Sequence, residues 1–119
     1  MNENSQEVVI YHNPRCSKSR QCLALLQEAG IAPDIRLYLE DVPDQQELRS
    51  VLAKLGLAPS DILRKGEDAY KAYFKDVSDE AELLLLLTQH PKVIERPIVI
   101  TSEKAAIGRP PEAVLALFP

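Results

Sequence analysis

The sequence predicts an α/β domain, and three patterns carry that prediction. Val8 to Tyr11 is a short apolar run ended by Asn13-Pro14. Cys22, Leu23, Leu25, Leu26 and Ala29 recur at helical spacing, and Ile35, Leu37 and Leu39 then alternate with Arg36, Tyr38 and Glu40. Strand, helix, strand in this order favours a parallel pair joined by a right-handed crossover. With 119 residues, 45% of them hydrophobic, the chain has enough apolar surface for one adequate core, so a single domain over residues 1–119 is expected.

The first seven residues, Met-Asn-Glu-Asn-Ser-Gln-Glu, are polar and acidic, the reverse of a secretory signal, and read as a loose tail. Pro14 ends the first strand because it lacks a donor and holds Asn13 extended. A helix is expected from Ser17 to about Ala29, stopped by Gly30. Behind Pro43, Asp44 stands in a cap position three residues before Glu47, opening a helix through Leu48, Val51, Leu52 and Leu55 that ends at Gly56. Ser60 to Arg64 and Asp68 to Phe74 suggest shorter turns, and Ser78-Asp79-Glu80 caps a helix through Leu87. These pieces form a helical insertion over about 44–90. Strand pattern returns in Ile98-Val99-Ile100 and Ala105-Ala106-Ile107, at hairpin spacing. Gly108 ends it, and Pro111 suits the first position of a closing helix with Val114, Leu115 and Phe118 inward.

A formal net charge of −4, from 14 basic and 18 acidic residues, argues against a general nucleic-acid binder, which carries a basic excess to neutralise phosphates. Any anion site must be assembled by the fold from distant positions. The longest apolar run, Leu83 to Leu87, falls far short of the roughly 20 residues that span a bilayer, so a soluble, cytoplasmic protein without membrane contact is expected. Two cysteines are too few for a disulfide framework and lack the paired spacing of a zinc site, so no metal centre is expected.

Cys16 sits where the first strand runs through a turn into the first helix, among His12, Arg15, Lys18 and Arg20. Unpaired N–H groups and the positive end of the helix dipole favour a thiolate there, below the free value of roughly 8.5. The competing reading is a partly buried structural thiol. Cys22 falls on the apolar stripe and reads as a small core residue. His12 either closes the strand or biases Cys16 towards thiolate. The hydroxyls of Ser17 and Ser19 suit the start of a helix, and the same donors can hold an oxyanion. Arg96, before Pro97, and Arg109, between Gly108 and Pro110-Pro111, are each placed by stiff neighbours, which suits an arginine that grips an oxyanion, or else they are surface cations. Arg64 fits the helix C-terminus that basic residues commonly decorate.

HNPRCSKSR near the start, LYLED after the second strand, ILRKGEDAY in the middle, then ERPIVI and IGRPPE together resemble the glutaredoxin-coupled arsenate reductase family, over nearly the whole chain from Val8 to Phe118. The resemblance implies a thioredoxin-like fold: a βαβ half, a helical insertion, a β-hairpin and a C-terminal helix on a mixed four-stranded sheet. It implies a cis Arg96–Pro97 bond. It further implies that Cys16 attacks arsenate, that Arg64, Arg96 and Arg109 surround the oxyanion, and that His12 favours the thiolate. Glutathione as co-substrate and glutaredoxin as partner are implied because Ser19 occupies the place of a second cysteine. No tightly bound cofactor is implied, and a monomer is expected. Two alternatives remain beside it. One is a glutathione-dependent thiol oxidoreductase with another substrate. The other is an RNA polymerase-binding redox regulator, disfavoured by the absence of a Cys-x-x-Cys switch.

Overall fold

In the computed structural model, which describes residues 7–118, the first element is set by a three-residue apolar strand, β1 (Val9–Tyr11), followed by α1 (Ser17–Glu28) and β2 (Asp34–Arg36). Helices α2 (Gln45–Leu55) and α3 (Glu80–Gln89) come next, then β3 (Ile98–Ile100) and β4 (Ala105–Ile107). The loose tail expected over the first seven residues falls, except for Glu7, outside the described residues. The single domain expected over 1–119 divides into two compact units, one formed by Met1–Tyr38 with Arg96–Pro119 and the other by Leu39–Glu95. The insertion is thus wider at both ends than residues 44–90.

The first unit is a thioredoxin-like βαβ half completed by a hairpin. Its mixed four-stranded sheet has the order β2-β1-β3-β4. β1 runs parallel to β2, pairing Ile10 with Ile35, and antiparallel to β3, pairing Ile10 with Val99; β3 and β4 are antiparallel. One face packs on α1 through Val8, Ile10, Cys22, Leu26, Val99 and Val114. Transfer of such apolar surface from water, about 25 cal/mol per Å², is what holds helix to sheet.

Three expectations for this unit need correction. The alternation through Ile35, Leu37 and Leu39 placed those residues inward, but Ile35 is 49% and Leu37 38% exposed, while Tyr38 is fully buried and stacks on Tyr11 at 6.0 Å between ring centroids. The strand stops at Arg36, and the larger aromatic surface of Tyr38 wins the inward place. The closing helix, Pro111–Leu117, is 3-10 in form, whose period of three brings Pro111, Val114 and Leu117 onto one face in place of Leu115. On α1 the buried stripe is Ser19, Cys22 and Leu26, while Ala29 is exposed.

In the second unit α2 begins at Asp44, whose carboxylate accepts the Glu47 N–H at 2.8 Å, and ends at Gly56 with φ of 71°, a left-handed conformation that glycine adopts without strain. α3 begins at Asp79, which accepts the Glu82 N–H at 3.0 Å. A 3-10 turn covers Pro59–Ile62, a π-helical turn Tyr70–Phe74 and a second 3-10 turn Pro91–Val93. Leu48, Val51, Leu52, Ile62, Phe74, Leu83, Leu84, Leu87, Val93 and Ile94 are the buried apolar residues of this unit. An antiparallel bridge joins Leu63 in its middle to Ile94 at its end.

Candidate active site

β1 carries the chain to the site, and the His12 N–H extends the ladder to the Arg36 carbonyl at 2.9 Å. Pro14 offers no donor, so the ladder ends and the chain turns. Asn13 shapes that turn: its carbonyl accepts the Cys16 N–H at 2.9 Å and its Oδ1 accepts the Arg15 N–H at 3.0 Å. Cys16 then takes the cap position of α1 with extended backbone, φ −96° and ψ 122°. A cap oxygen ordinarily receives the second or third N–H of a helix. The Cys16 side chain makes no such cap bond; its sulfur instead faces the electrostatic influence of the Ser19 and Lys18 N–H groups and of the Arg96 guanidinium, which favour the thiolate.

Burial opposes ionisation of Cys16, yet the Ser19 N–H, the Arg96 guanidinium and the Lys18 N–H outweigh it, so the thiol ionises below its ordinary value. Cys22 is the opposite case. It is fully buried and its thiol is pushed up to about 11 by burial, which leaves it protonated and inert as the core residue the sequence suggested.

His12 is 6% exposed, with Nδ1 2.6 Å from the Ser19 hydroxyl. Burial lowers its pKa from 6.5 and the nearby Arg20 cation lowers it further, which favours the neutral ring. The contact seen for His12 is with Ser19, in the first turn of the helix that Cys16 heads. Ser17 is exposed in the first turn of α1, whereas Ser19 is fully buried with its hydroxyl already engaged by His12 and by the Asn13 N–H at 3.1 Å. The two serines, paired in the sequence reading, sit in opposite environments.

The Arg96–Pro97 bond is cis, as expected, and the Arg109–Pro110 bond is cis as well. Arg109 Nε donates to the Arg96 carbonyl at 2.8 Å, and the Gly108 N–H donates to the Pro97 carbonyl at 2.8 Å. A Cβ at Gly108 would stand 2.8 Å from Pro97 Cγ and 3.2 Å from Cys22 Sγ, so only glycine lets these two loops close on each other. Arg96 and Arg109 are thereby brought together, and Arg96 reaches Cys16. Arg64 belongs to the helical unit, where its Nη1 lies 3.1 Å from Glu95 Oε1 and its Nε 3.7 Å from Glu67 Oε2. Among the described residues no cluster of three or more metal-ligating side chains is found, and no helix is long and apolar enough to cross a membrane.

The ArsC family model matches residues 11–117, a span that contains every group just described. This chain belongs to the ArsC family. It is similar to an arsenate reductase of Haemophilus influenzae, 48% identical over 114 residues, covering 93% of this chain and 98% of that one. It is likewise similar to an arsenate reductase of Neisseria meningitidis serogroup A, 46% identical over 115 residues, 94% and 98% covered. Among solved structures, an arsenate reductase from Vibrio cholerae superposes with a TM-score of 0.88 at 45% identity, covering 97% of this chain and 100% of that one.

The roles of three residues in this ArsC site are not apparent from the sequence. Asn13 was seen only as a strand stop, though an Asn two residues before an exposed N–H is a recognised turn former. Arg20 donates to the Pro14 carbonyl at 2.8 Å, and its i+4 place from Cys16 was the available signal. Gly108 reads as a hairpin end, and nothing local in the sequence announces its approach to Pro97.

Proposed function

We propose that this chain is an arsenate reductase in which the Cys16 thiolate attacks arsenic. The observation that carries the reading is the place of Cys16 at the start of α1, whose first turn holds no acidic residue, in the same unit as the joined Arg96 and Arg109 loops; a helix start and a guanidinium offset both a thiolate, lowered in pKa here, and an incoming oxyanion. Arg96 and the Arg109 joined to it supply the guanidinium face; planar guanidinium groups match the paired oxygens of arsenate.

Attack by Cys16 forms a sulfur–arsenic bond and expels one arsenate oxygen as water, with protons drawn from solvent. Glutathione then displaces a second oxygen as water, giving an arsenic(V) centre bonded to two sulfurs. A glutaredoxin thiolate attacks the glutathionyl sulfur, forming a mixed disulfide, and the electron pair of the broken bond remains on arsenic, reducing it to arsenic(III). Hydrolysis releases arsenite and returns Cys16. An external thiol is required because Ser19 stands where a second cysteine would resolve the adduct. In this reading the chain works as a monomer in the reducing cytoplasm and holds no tightly bound cofactor.

Arsenite release from arsenate, with glutathione and glutaredoxin present, tests the proposal. Cys16→Ser is expected to lose activity by at least about a thousandfold, as loss of a covalent nucleophile does, while Cys22→Ser keeps most of it. Equal loss in both variants would overturn the monothiol assignment, and an inactive wild type would overturn arsenate as the substrate.

A further inference from the structure

We infer that Ser19 is a positioning residue, whose hydroxyl ties the end of β1 to the first turn of α1 and thereby aims the helix N–H groups at Cys16, and that this hydroxyl does not hold the oxyanion. The inference rests on Cys16 being the nucleophile. Ser19 heads the buried stripe of α1, three residues before Cys22 and seven before Leu26, and has no exposed surface. From there Oγ accepts the Asn13 N–H at 3.1 Å and shares a proton with His12 Nδ1 at 2.6 Å.

A hydroxyl has one proton and two lone pairs. If His12 Nδ1 is bare, the Ser19 proton is spent on it; if Nδ1 carries a proton, both lone pairs are spent on His12 and Asn13. In the second case a proton is left over, but on an atom that is sealed from any incoming anion. Meanwhile the backbone N–H of the same residue lies in the first turn of the helix that Cys16 heads and favours its thiolate. One residue thus grips the strand end with its side chain while its main chain belongs to the helix turn that favours the thiolate.

The other links across this turn are different in kind. Asn13 to Cys16, Asn13 to Arg15, and Arg20 to Pro14 close the loop on its outer side through backbone groups or exposed side chains. Among these links the Ser19–His12 bond is the buried side-chain one joining the strand end to the helix. Removing its oxygen leaves the buried His12 Nδ1 and the part-buried Asn13 N–H to find new partners, and the shift they make is transmitted to the turn holding Cys16.

The test follows Cys16 alkylation by iodoacetamide against pH, with the modified residue located by mass spectrometry. Ser19→Ala should move the midpoint to higher pH and slow the reaction at pH 7 by about three- to tenfold, and Ser19→Thr, which keeps the hydroxyl, should stay near wild type. Leu26→Ala, a core truncation, serves as the control: it should lower the melting temperature without moving the midpoint. A Ser19→Ala midpoint equal to wild type, a Thr variant shifted as far as the Ala one, or a shift of the same size in Leu26→Ala would overturn the inference. Hydrogen exchange of wild type adds a reading that needs no variant to fold, since the Asn13 amide should be protected like a core amide; free exchange there would overturn the inference as well. The assay uses no oxyanion, so its outcome is independent of arsenate being the substrate. A wild-type midpoint at the free-cysteine value would sink the nucleophile reading together with this one.

Discussion

α2 and α3 begin on carboxylates, whereas α1 begins on a sulfur. Asp44 and Asp79 each accept a third-position N–H, and the first turns behind them carry Glu47 in one case and Glu80 with Glu82 in the other. The first turn of α1 has no acidic residue and contains Lys18. Negative groups at a helix start offset its dipole and stabilise it, and a cation there does the reverse. The helices of the Leu39–Glu95 unit spend their N-termini on their own stability. α1 keeps its positive end uncompensated, and the only group positioned to benefit is Cys16.

That contrast breaks most strongly at Arg96. Arg96→Ala removes a cation that lowers the Cys16 pKa, and the alkylation profile is expected to move to higher pH, with the rate at pH 7 falling about tenfold for each unit of movement. The sign follows from the lowered pKa: a thiol held below its ordinary value is more ionised at neutral pH, and each donor removed returns it towards the protonated form. An unmoved profile would mean that the helix start alone sets the thiol.

Removing a carboxylate cap should act on stability alone. Asp44→Ala or Asp79→Ala is expected to cost about 1 kcal/mol in urea unfolding, with the Cys16 profile unchanged. A shift in thiol reactivity from either variant would dissolve the division of labour between helix starts.

Lys18→Glu makes α1 resemble the other two. It should stabilise the fold by about 0.3–1 kcal/mol and also slow alkylation, so stability and reactivity move in opposite directions. If both rose together, the uncompensated dipole would not be serving the thiol.

The smallest effect is expected from His12. Its folded-state pKa lies below 6.5, so its contribution to stability is fully present above pH 6.5 and is lost as pH falls through the folded value, where the unfolded chain binds the extra proton. Chemical denaturation between pH 5 and 7.5 should show stability rising with pH, with a shallower slope in His12→Asn.

Much of this arrangement was legible along the chain. The Asp44 and Asp79 caps, the hairpin and the placement of Cys16 at a strand-to-helix junction are local patterns, and short-range chemistry decides them. What was illegible depends on partners far away in sequence. Ile35 and Leu37 alternated like a half-buried strand, yet the edge position of β2 and the stacking of Tyr38 on Tyr11 reversed which residue was covered. Ser19 read as one of two equivalent helix-start serines, and its burial follows only from its spacing to Cys22 and Leu26. The Arg109 bond to the Arg96 carbonyl spans thirteen residues and has no local signature.

Gly108 and Pro97 close over Cys22, and this has a practical reach beyond packing. With Cys22 sealed and protonated, the protein offers electrophiles and oxidants one addressable thiol per chain. Under the proposed function, labelling stoichiometry would count active sites directly, and oxidation of Cys16 would be a single-site event, reversible by thiol at the sulfenate or mixed-disulfide stage. A methyl group at position 108 would lift that seal and turn a one-thiol protein into a two-thiol one.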